Sequence, residues 1–166
     1  MESHSVNPLN VYGFSKAECE RRVTARFPRA LVVRTSAFFG PWDQYNFVMQ
    51  TASRLKEGGA VRAIVDYHVS PTYVPDLVNA CLDLLIDRES GIWHITNSGE
   101  ITWAELARRT AKALQLSDAL VESVTVAEMG LTARRPRYSV LGTEKAVLLP
   151  GLDDALARFF TDATAN

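Results

Sequence analysis

Short apolar runs alternate along this chain with longer segments of helical periodicity, and this alternation limits the folds open to it. Residues 30–35, Ala-Leu-Val-Val-Arg-Thr, are rich in β-branched side chains, which is typical of a strand buried on both faces. Strands are predicted at 30–35, 61–66, 91–95 and 121–126, and helices at 11–27, 46–57, 75–87, 102–116 and 152–162. A loop is predicted at 39–42, and a loop or short extended stretch at 70–73. The pattern indicates an α/β protein with a mostly parallel sheet.

The charge balance argues against several kinds of partner. The chain has 166 residues and a formal net charge of -1, so neither nucleic acid nor an anionic membrane would be held by bulk charge. Apolar runs stay well short of the ~18 residues that a membrane helix needs, and the start lacks a basic-then-apolar secretion signal. The expected location is the cytoplasm, where Cys19 and Cys81, which form no CxxC pair, stay reduced.

Two common patterns for binding cofactors and metals are missing from the sequence. None of the nine glycines is spaced as GxGxxG, the turn that lets the backbone approach a dinucleotide pyrophosphate at a helix N-terminus. The histidines His4, His68 and His94 are not followed by a Cys or His three or four residues later. We therefore expect no metal site, and no dinucleotide bound by this chain alone.

A tyrosine and a lysine lie four residues apart in the first predicted helix. Tyr12 and Lys16 therefore share one helix face, a turn apart. A phenol has a pKa of about 10, and a neighbouring ammonium favours the phenolate, so the pair suits proton donation near neutral pH. The alternative is that both are surface residues of an amphipathic helix, because a Tyr-x-x-x-Lys pattern arises readily by chance.

An ordered series of further motifs accompanies the Tyr-x-x-x-Lys pattern. The series comprises Asn7-Pro8-Leu9-Asn10-Val11-Tyr12-Gly13-Phe14-Ser15-Lys16, Val33-Arg34-Thr35-Ser36, Asn46-Phe47-Val48, Asp66 with Ser70-Pro71-Thr72-Tyr73 and Asp76-Leu77, Gly91-Ile92-Trp93-His94, Asn97-x-Gly99-Glu100-x-Thr102-Trp103-x-Glu105-Leu106, and Arg135-Pro136-Arg137-Tyr138-Ser139-Val140-Leu141. With these residues, nearly the whole chain resembles the C-terminal portion of the dTDP-4-dehydrorhamnose reductase (RmlD-like) family, within the extended short-chain dehydrogenase/reductase superfamily.

The resemblance implies a fold and a division of the protein. The fold would be the C-terminal part of a Rossmann-like, doubly wound parallel sheet with a small substrate-binding subdomain. Residues 1–166 would form a single substrate-binding domain, without the family's N-terminal dinucleotide-binding half, which carries the glycine-rich turn and a further catalytic Ser or Thr. A sheet edge left open by that absence is expected to make the chain self-associate or exchange elements.

The resemblance also implies a reaction. Family members use a nicotinamide cofactor, NADP or NAD, to reduce the 4-keto group of a dTDP-linked deoxysugar, which converts dTDP-4-dehydrorhamnose to dTDP-L-rhamnose. Tyr12 would protonate the developing alkoxide, and Lys16 would tune the phenol and contact the cofactor ribose. The isolated chain is expected to be inactive and to bind no cofactor.

Further site residues follow from the family's motifs. The cofactor side would include Tyr12, Lys16, Thr35 and Ser36, the last two at the carboxyl end of a parallel strand, where ligands bind in such sheets. The substrate side would include Phe38, Asn46, Ser70, Pro71, Thr72 and Arg135. Arg135 would clamp a diphosphate, because a guanidinium matches phosphate oxygens bidentately.

Several substrate-side residues also have a purely structural interpretation. Phe38, Phe39 and Trp42 are expected to pack in the core, with a role against the sugar as the alternative. Asn46 is a favoured helix N-cap. Residues 70–72 could form only a turn, although the family places this segment near the substrate.

Two other functions fit the same motifs. One is a related sugar-nucleotide epimerase or dehydratase, and the other is a non-enzymatic binding or regulatory module on the same fold. The sugar is open as well, because family members often have Trp where this chain has Ala37. Either a neighbouring aromatic residue takes its place, or the sugar differs.

Overall fold

Helices and short strands alternate in the computed structural model, which describes residues 1–147 and 149–164. The helices are α1 (Val11–Arg26), α2 (Phe47–Lys56), α3 (Val74–Ile86), α4 (Trp103–Ala113), α5 (Val126–Met129) and α6 (Leu152–Thr164), with a 3₁₀ turn at Asp118–Leu120. The strands are β1 (Leu31–Arg34), β2 (Phe38–Phe39), β3 (Val61–Ile64), β4 (His68–Val69), β5 (Thr72–Tyr73), β6 (Gly91–His94), β7 (Ile101–Thr102), β8 (Val121–Val124) and β9 (Tyr138–Ser139).

Parallel pairs dominate the strand pairing. β1 pairs with β6, β2 with β5 and β3 with β8, each in parallel, and β4 lies between parallel β9 and antiparallel β7. The predicted α/β class with mostly parallel strands is therefore confirmed. The loop predicted at 39–42 includes Phe39 of β2, and the loop or short extended stretch predicted at 70–73 includes all of β5. Strands of two residues are too short to show the alternation that marks a strand in the sequence.

An aromatic cluster forms the centre of the core. Phe39 of β2, Tyr73 of β5 and Phe159 of α6 are almost fully buried, and the Phe39 ring centroid lies 5.3 Å from that of Tyr73 and 5.7 Å from that of Phe159. The Arg158 guanidinium of α6 reaches the Asp76 carboxylate of α3 with two hydrogen bonds of 2.6 and 2.7 Å. Helix α6 is therefore fixed to β2 and β5 by apolar contacts and to α3 by an ion pair.

The sheet of β1 and β6 is open on one side. All four residues of β1 are only half-buried, and β6 is its one partner among the described strands. Helices α1 and α3 expose apolar side chains as well, namely Val11, Phe14 and Val23 of α1 and Val78, Leu82, Leu85 and Ile86 of α3. The described residues leave these side chains uncovered.

Three further features bear on the sequence expectations. In the described ranges, no helix is long and apolar enough to cross a membrane. Within the same ranges, no group of three or more His, Cys, Asp or Glu side chains is placed to hold a metal ion. Both cysteines are free thiols; Cys19 is exposed and Cys81 is half-buried.

Candidate functional site

A cavity of about 560 Å³ opens where the N-terminal segment meets the carboxyl ends of β1 and β6. Its wall comes from the N-terminal segment, α1, the ends of the two strands and the segment 136–141. Polar side chains in the wall include Lys16, Glu20, Arg34, Thr35, Ser36 and His94. Because ligands bind at the carboxyl ends of parallel strands, this cavity is the candidate site.

A second hollow, of about 490 Å³, lies at the C-terminal end of α4 among Arg108, Arg109 and Lys112. Its two guanidinium groups are already engaged. Arg109 pairs with Glu105 and with an acidic residue of α6, and Arg108 donates a hydrogen bond to the Ser123 hydroxyl. None of its lining residues belongs to the wall at the ends of β1 and β6, so we favour the first cavity.

Tyr12 and Lys16 lie one turn apart on the first two turns of α1. Lys16 Nζ is 5.4 Å from the centroid of the Tyr12 ring, which confirms that the two side chains share a helix face. The Asn10 side chain caps the helix by accepting a hydrogen bond from Gly13 N at 2.8 Å. Lys16 lines the cavity, whereas the Tyr12 side chain is 71% exposed. The phenol of Tyr12 is thus accessible to a ligand or to a further protein segment.

Thr35 and Ser36 follow β1 directly and line the cavity. The Thr35 hydroxyl donates to Thr72 Oγ1 at 3.1 Å, and the Thr72 hydroxyl donates to the Ser36 carbonyl at 2.6 Å. Thr72 itself is fully buried. Thr72, a predicted substrate-side residue, therefore holds the predicted cofactor-side residues Thr35 and Ser36 in place.

A chain of polar contacts crosses the floor of the cavity from α1 to β6. The Arg34 guanidinium forms two hydrogen bonds to the Glu20 carboxylate, at 2.8 and 2.5 Å, and its Nη1 lies 3.3 Å from His94 Nε2. Since Arg34 can only donate, His94 Nε2 must accept, and His94 Nδ1–H donates to the Gly142 carbonyl at 2.8 Å. Burial lowers the pKa of His94, in keeping with this neutral tautomer.

The Glu2 carboxylate ties the N-terminal segment to the opposite wall. It accepts hydrogen bonds from the backbone N–H groups of His94 and Glu144 and from the Thr143 hydroxyl, at 3.1, 2.8 and 2.7 Å. Burial acts to raise the pKa of this carboxyl, but the hydrogen bonds outweigh burial and lower the pKa to about 2. Ser3 adds two bonds to the Glu144 carboxylate. These contacts give the cavity a wall made from residues distant in sequence.

Four of the predicted substrate-side residues are packed inside the fold, with Thr72, described above, as the fourth. Asn46 is buried and caps α2: its amide oxygen accepts from Met49 N at 2.9 Å, and its amide nitrogen donates to the Gly40 carbonyl at 2.9 Å. Ser70 and Pro71 are also buried, and the Ser70 hydroxyl accepts a hydrogen bond from Leu141 N at 3.2 Å. In this chain the polar atoms of Asn46 and Ser70 are directed to the protein.

The aromatic residues after β1 divide between the core and the surface. Phe39 is buried, as predicted, but Phe38 and Trp42 are 53% and 74% exposed, so the expectation that all three pack in the core is wrong. Successive side chains of a strand point to opposite faces, so within β2 only one of the two phenylalanines can face inwards. Ala37 precedes them with φ of 44°, in the left-handed region. Phe38 is left available to a ligand.

Arg135 lies in an exposed segment between α5 and β9. The segment is anchored at both ends, because the Asn10 side chain donates to the Arg134 carbonyl at 2.8 Å and His68 N donates to the Arg137 carbonyl at 2.8 Å. Pro136 in this segment lines the cavity. The guanidinium of Arg135 is thus carried on a fixed loop beside the site.

Sequence reasoning gave no site role to Glu2, Glu20 or Arg34. A charged residue at the end of an apolar strand, as Arg34 is, could have been noticed because it needs a partner when it is half-buried. Chemically, the site combines a phenol and an ammonium on α1 with hydroxyl groups at the end of β1. This set can give a proton to an oxygen anion and hold polar groups of a ligand.

Comparisons with known proteins point to one family. The family model described as RmlD substrate binding domain matches residues 1–157. A dTDP-4-dehydrorhamnose reductase of Mycolicibacterium smegmatis is 36% identical over 141 residues, which are 84% of this chain and 43% of that protein. The Methionine adenosyltransferase 2 subunit beta of Danio rerio is 30% identical over 157 residues, 89% of this chain and 48% of that protein.

Solved structures agree with the sequence relatives. The crystal structure of dTDP-4-dehydrorhamnose reductase from Bacillus anthracis in complex with NADP superposes with a TM-score of 0.91 and 30% identity, over 97% of this chain and 58% of that chain. This chain spans about half the length of the curated relatives it matches.

Proposed function

The chain belongs to the RmlD substrate binding domain family, and on that premise we propose that it is the substrate-binding portion of an NAD(P)-dependent reductase of a dTDP-linked 4-keto-6-deoxysugar. The substrate would be dTDP-4-dehydrorhamnose and the product dTDP-L-rhamnose. The observation that carries the proposal is the cavity at the carboxyl ends of β1 and β6, with Lys16, Thr35 and Ser36 in its wall and Tyr12 one helical turn from Lys16.

Proton delivery is the part of the reaction that this chain would supply. A bound nicotinamide supplies the hydride that reaches the 4-keto carbon. The carbonyl oxygen then carries negative charge and must gain a proton, which the Tyr12 hydroxyl donates. The Lys16 ammonium stabilises the phenolate that remains, and so lowers the cost of that donation. The keto group thus gains a hydride at carbon and a proton at oxygen.

The cavity wall suits the ribose and nicotinamide end of NADP or NAD better than the diphosphate. Lys16 offers ammonium donors, and Thr35 and Ser36 offer hydroxyl groups that can bind ribose. A glycine-rich turn is missing from the sequence, so the pyrophosphate would need a backbone cradle that this chain does not contain. We therefore expect the cofactor to bind to a full-length enzyme and not to this chain alone.

The substrate side would be built in two layers. Phe38 and Arg135 are exposed and would touch the ligand directly, Phe38 by stacking on the sugar and Arg135 by pairing with the diphosphate. Asn46, Ser70, Pro71 and Thr72 are buried and would shape the site from beneath.

The remaining proposals concern the protein as a whole. The chain spans about half the length of its relatives, so catalysis would belong to a protein that also has a dinucleotide-binding part, and the isolated chain would be inactive. A dTDP-sugar would be its small-molecule partner, in the cytoplasm. The open edge of the β1–β6 sheet would favour a homo-oligomer.

A binding module is the second candidate function. One relative that matches most of this chain is named as the beta subunit of a methionine adenosyltransferase rather than as a reductase. On this alternative the cavity would serve a partner contact, and Tyr12 and Lys16 would have no proton to deliver.

Calorimetric titration of this chain with dTDP and with dTDP-rhamnose, and with NADPH in parallel, tests the proposal. We expect sugar-nucleotide binding without cofactor binding. Arg135→Met should weaken the affinity for dTDP about tenfold or more, since a charged hydrogen-bonding pair contributes about 1.5–3 kcal/mol. Arg88→Met, a change at another surface arginine, is the matched control and should leave the affinity unchanged. Binding of neither nucleotide would count against a preformed substrate site and favour the binding module.

A further inference from the structure

The helix that carries Tyr12 and Lys16 is attached to the protein by polar contacts rather than by a buried apolar face. We infer that Arg34 is the positioning residue for α1: its ion pair with Glu20 fixes the helix over the cavity and so sets where Tyr12 and Lys16 stand. The inference rests on the proposed function only in the role it gives to those two side chains.

The burial of α1 supports the first step. None of its sixteen residues, all of which the structure describes, is buried. Its half-buried residues are all small or polar, namely Gly13, Ala17, Glu18, Glu20 and Thr24. Its larger apolar residues, such as Phe14 and Val23, are exposed. Apolar packing therefore cannot fix α1 in the precise position that a proton donor needs.

The Arg34–Glu20 pair has the geometry of a strong contact. Two N–H groups of the guanidinium meet the two carboxylate oxygens at 2.8 and 2.5 Å, and both side chains are about four-fifths buried, at 20% and 19% exposure. Paired N–H donors fix orientation as well as distance. The third contact, from Nη1 to His94, orients the guanidinium from the β6 side.

The position of Glu20 on α1 links its ion pair with Arg34 to the placement of Tyr12 and Lys16. Tyr12, Lys16 and Glu20 follow one another at intervals of four residues, so they share one face of α1. Holding Glu20 against the end of β1 therefore fixes the rotation of that face about the helix axis. Asn10 anchors the start of the helix through Arg134, so the axis is held near both ends of the face.

Spin labels on α1 and α4 would measure this positioning directly. Cys19 is exposed on α1, and Lys112→Cys adds a site on the exposed side of α4, with Cys81→Ser to remove the other thiol. In this background, Arg34→Met should at least double the width of the distance distribution between the labels. Hydrogen exchange in residues 11–26 should accelerate at least tenfold while exchange in α4 stays unchanged, which a general loss of stability would not produce.

Matched variants decide between positioning and other effects. Arg34→Lys keeps the charge but loses the paired donors, so it should give an intermediate width. Glu20→Gln should also broaden the distance distribution, and it replaces Arg34→Met in the test if that variant does not fold. Arg22→Met removes an exposed arginine that pairs with Glu18 on α1 itself, and should change nothing. Unchanged widths in both Arg34→Met and Glu20→Gln, or equal broadening in Arg22→Met, would overturn the inference. No nucleotide is used, so failure to bind dTDP leaves this test intact.

Discussion

At the scale of single residues, one carboxylate ties the start of the chain to the cavity. Glu2 accepts three hydrogen bonds, from His94, Thr143 and Glu144, whose positions are set by β6 and the segment that follows β9. Its pKa is about 2 in the fold against an ordinary value of 4.5, because the bonds favour the ionised form more than burial disfavours it. The tie therefore consists of hydrogen bonds to an ionised carboxylate, and it has a defined pH range.

Acid should weaken the fold through this residue. Because the pKa of Glu2 is lowered, its stabilisation is complete above pH 4.5 and is lost as the pH falls from 4.5 towards 2. We expect a loss of about 1–2 kcal/mol, after allowance for solvent screening. Urea unfolding at pH 3 and pH 7 should show a larger difference for the wild type than for Glu2→Gln. Thr143→Val, which removes one donor of three, should fall between them. Equal pH dependence in wild type and Glu2→Gln would refute the assignment.

Sequence reasoning reaches some residues of the site and not others, for a physical reason. The shared face of Tyr12 and Lys16 follows from a spacing of four and is confirmed. The exposure of Phe38 depends on which of two adjacent strand residues faces inwards, which the sequence alone does not decide. The role of Glu2 depends on Thr143, which only the finished fold brings near.

At the scale of elements, α6 packs on β2 and β5 through a buried aromatic ring. Phe159 is fully buried against Phe39 and Tyr73. Arg158 pairs with Asp76, whose pKa stays lowered because this pair and a hydrogen bond from Asn97 outweigh the effect of burial. Helix α6 is thus held by an apolar contact to β5 and by an ion pair to α3.

Truncating the buried aromatic ring of α6 should be costly. Phe159→Ala removes a fully buried ring, so the free energy of unfolding should fall by about 3–5 kcal/mol. Phe38→Ala is a matched control, since it removes the same ring from a site that is 53% exposed, and should cost less than about 1 kcal/mol. Urea unfolding by circular dichroism measures both. Similar losses in the two variants would contradict the burial assigned here.

Helix N-caps show how much of a helix start can be predicted from the local sequence. The spacing Thr102-x-x-Glu105 predicts a capping box, and the Thr102 hydroxyl does accept a hydrogen bond from Glu105 N at 3.1 Å. The Glu105 carboxylate, however, pairs with Arg109 one turn later. A complete box forms instead at Thr125 and Glu128, at the start of α5. A cap pattern predicts a helix start, but competing partners decide which side-chain bonds are made.

At the scale of the whole molecule, one edge of β1 has no partner among the described strands, and α1 and α3 expose apolar side chains. Unpaired strand edges and contiguous apolar surface favour association. The α/β class could be predicted because it follows from the alternation of elements, which is local. The pairing of β4 with β7 and β9 could not, because these strands have two residues each and depend on contacts between distant segments.

Self-association through these surfaces can be tested in solution. The sedimentation mass of the wild type should rise with concentration, and Val23→Lys with Leu82→Lys should shift it towards the monomer by placing charge on both exposed helix faces. Val65→Lys, at an exposed apolar residue beyond the end of β3, is the control and should leave the association unchanged. If the wild-type chain sediments as a monomer at every concentration, the unpaired edge of β1 does not drive association.

The bond between Glu2 and Thr143 also bears on synthesis at the ribosome. The two residues are separated by 141 positions, so the contact cannot form until the segment that carries Thr143 has been synthesised. Helix α1 has no buried residue, so it gains little apolar burial by packing early. Folding of this chain during synthesis would therefore begin around pairs such as β1 and β6, and residues 1–10 would stay open to proteases and chaperones until Thr143 emerges.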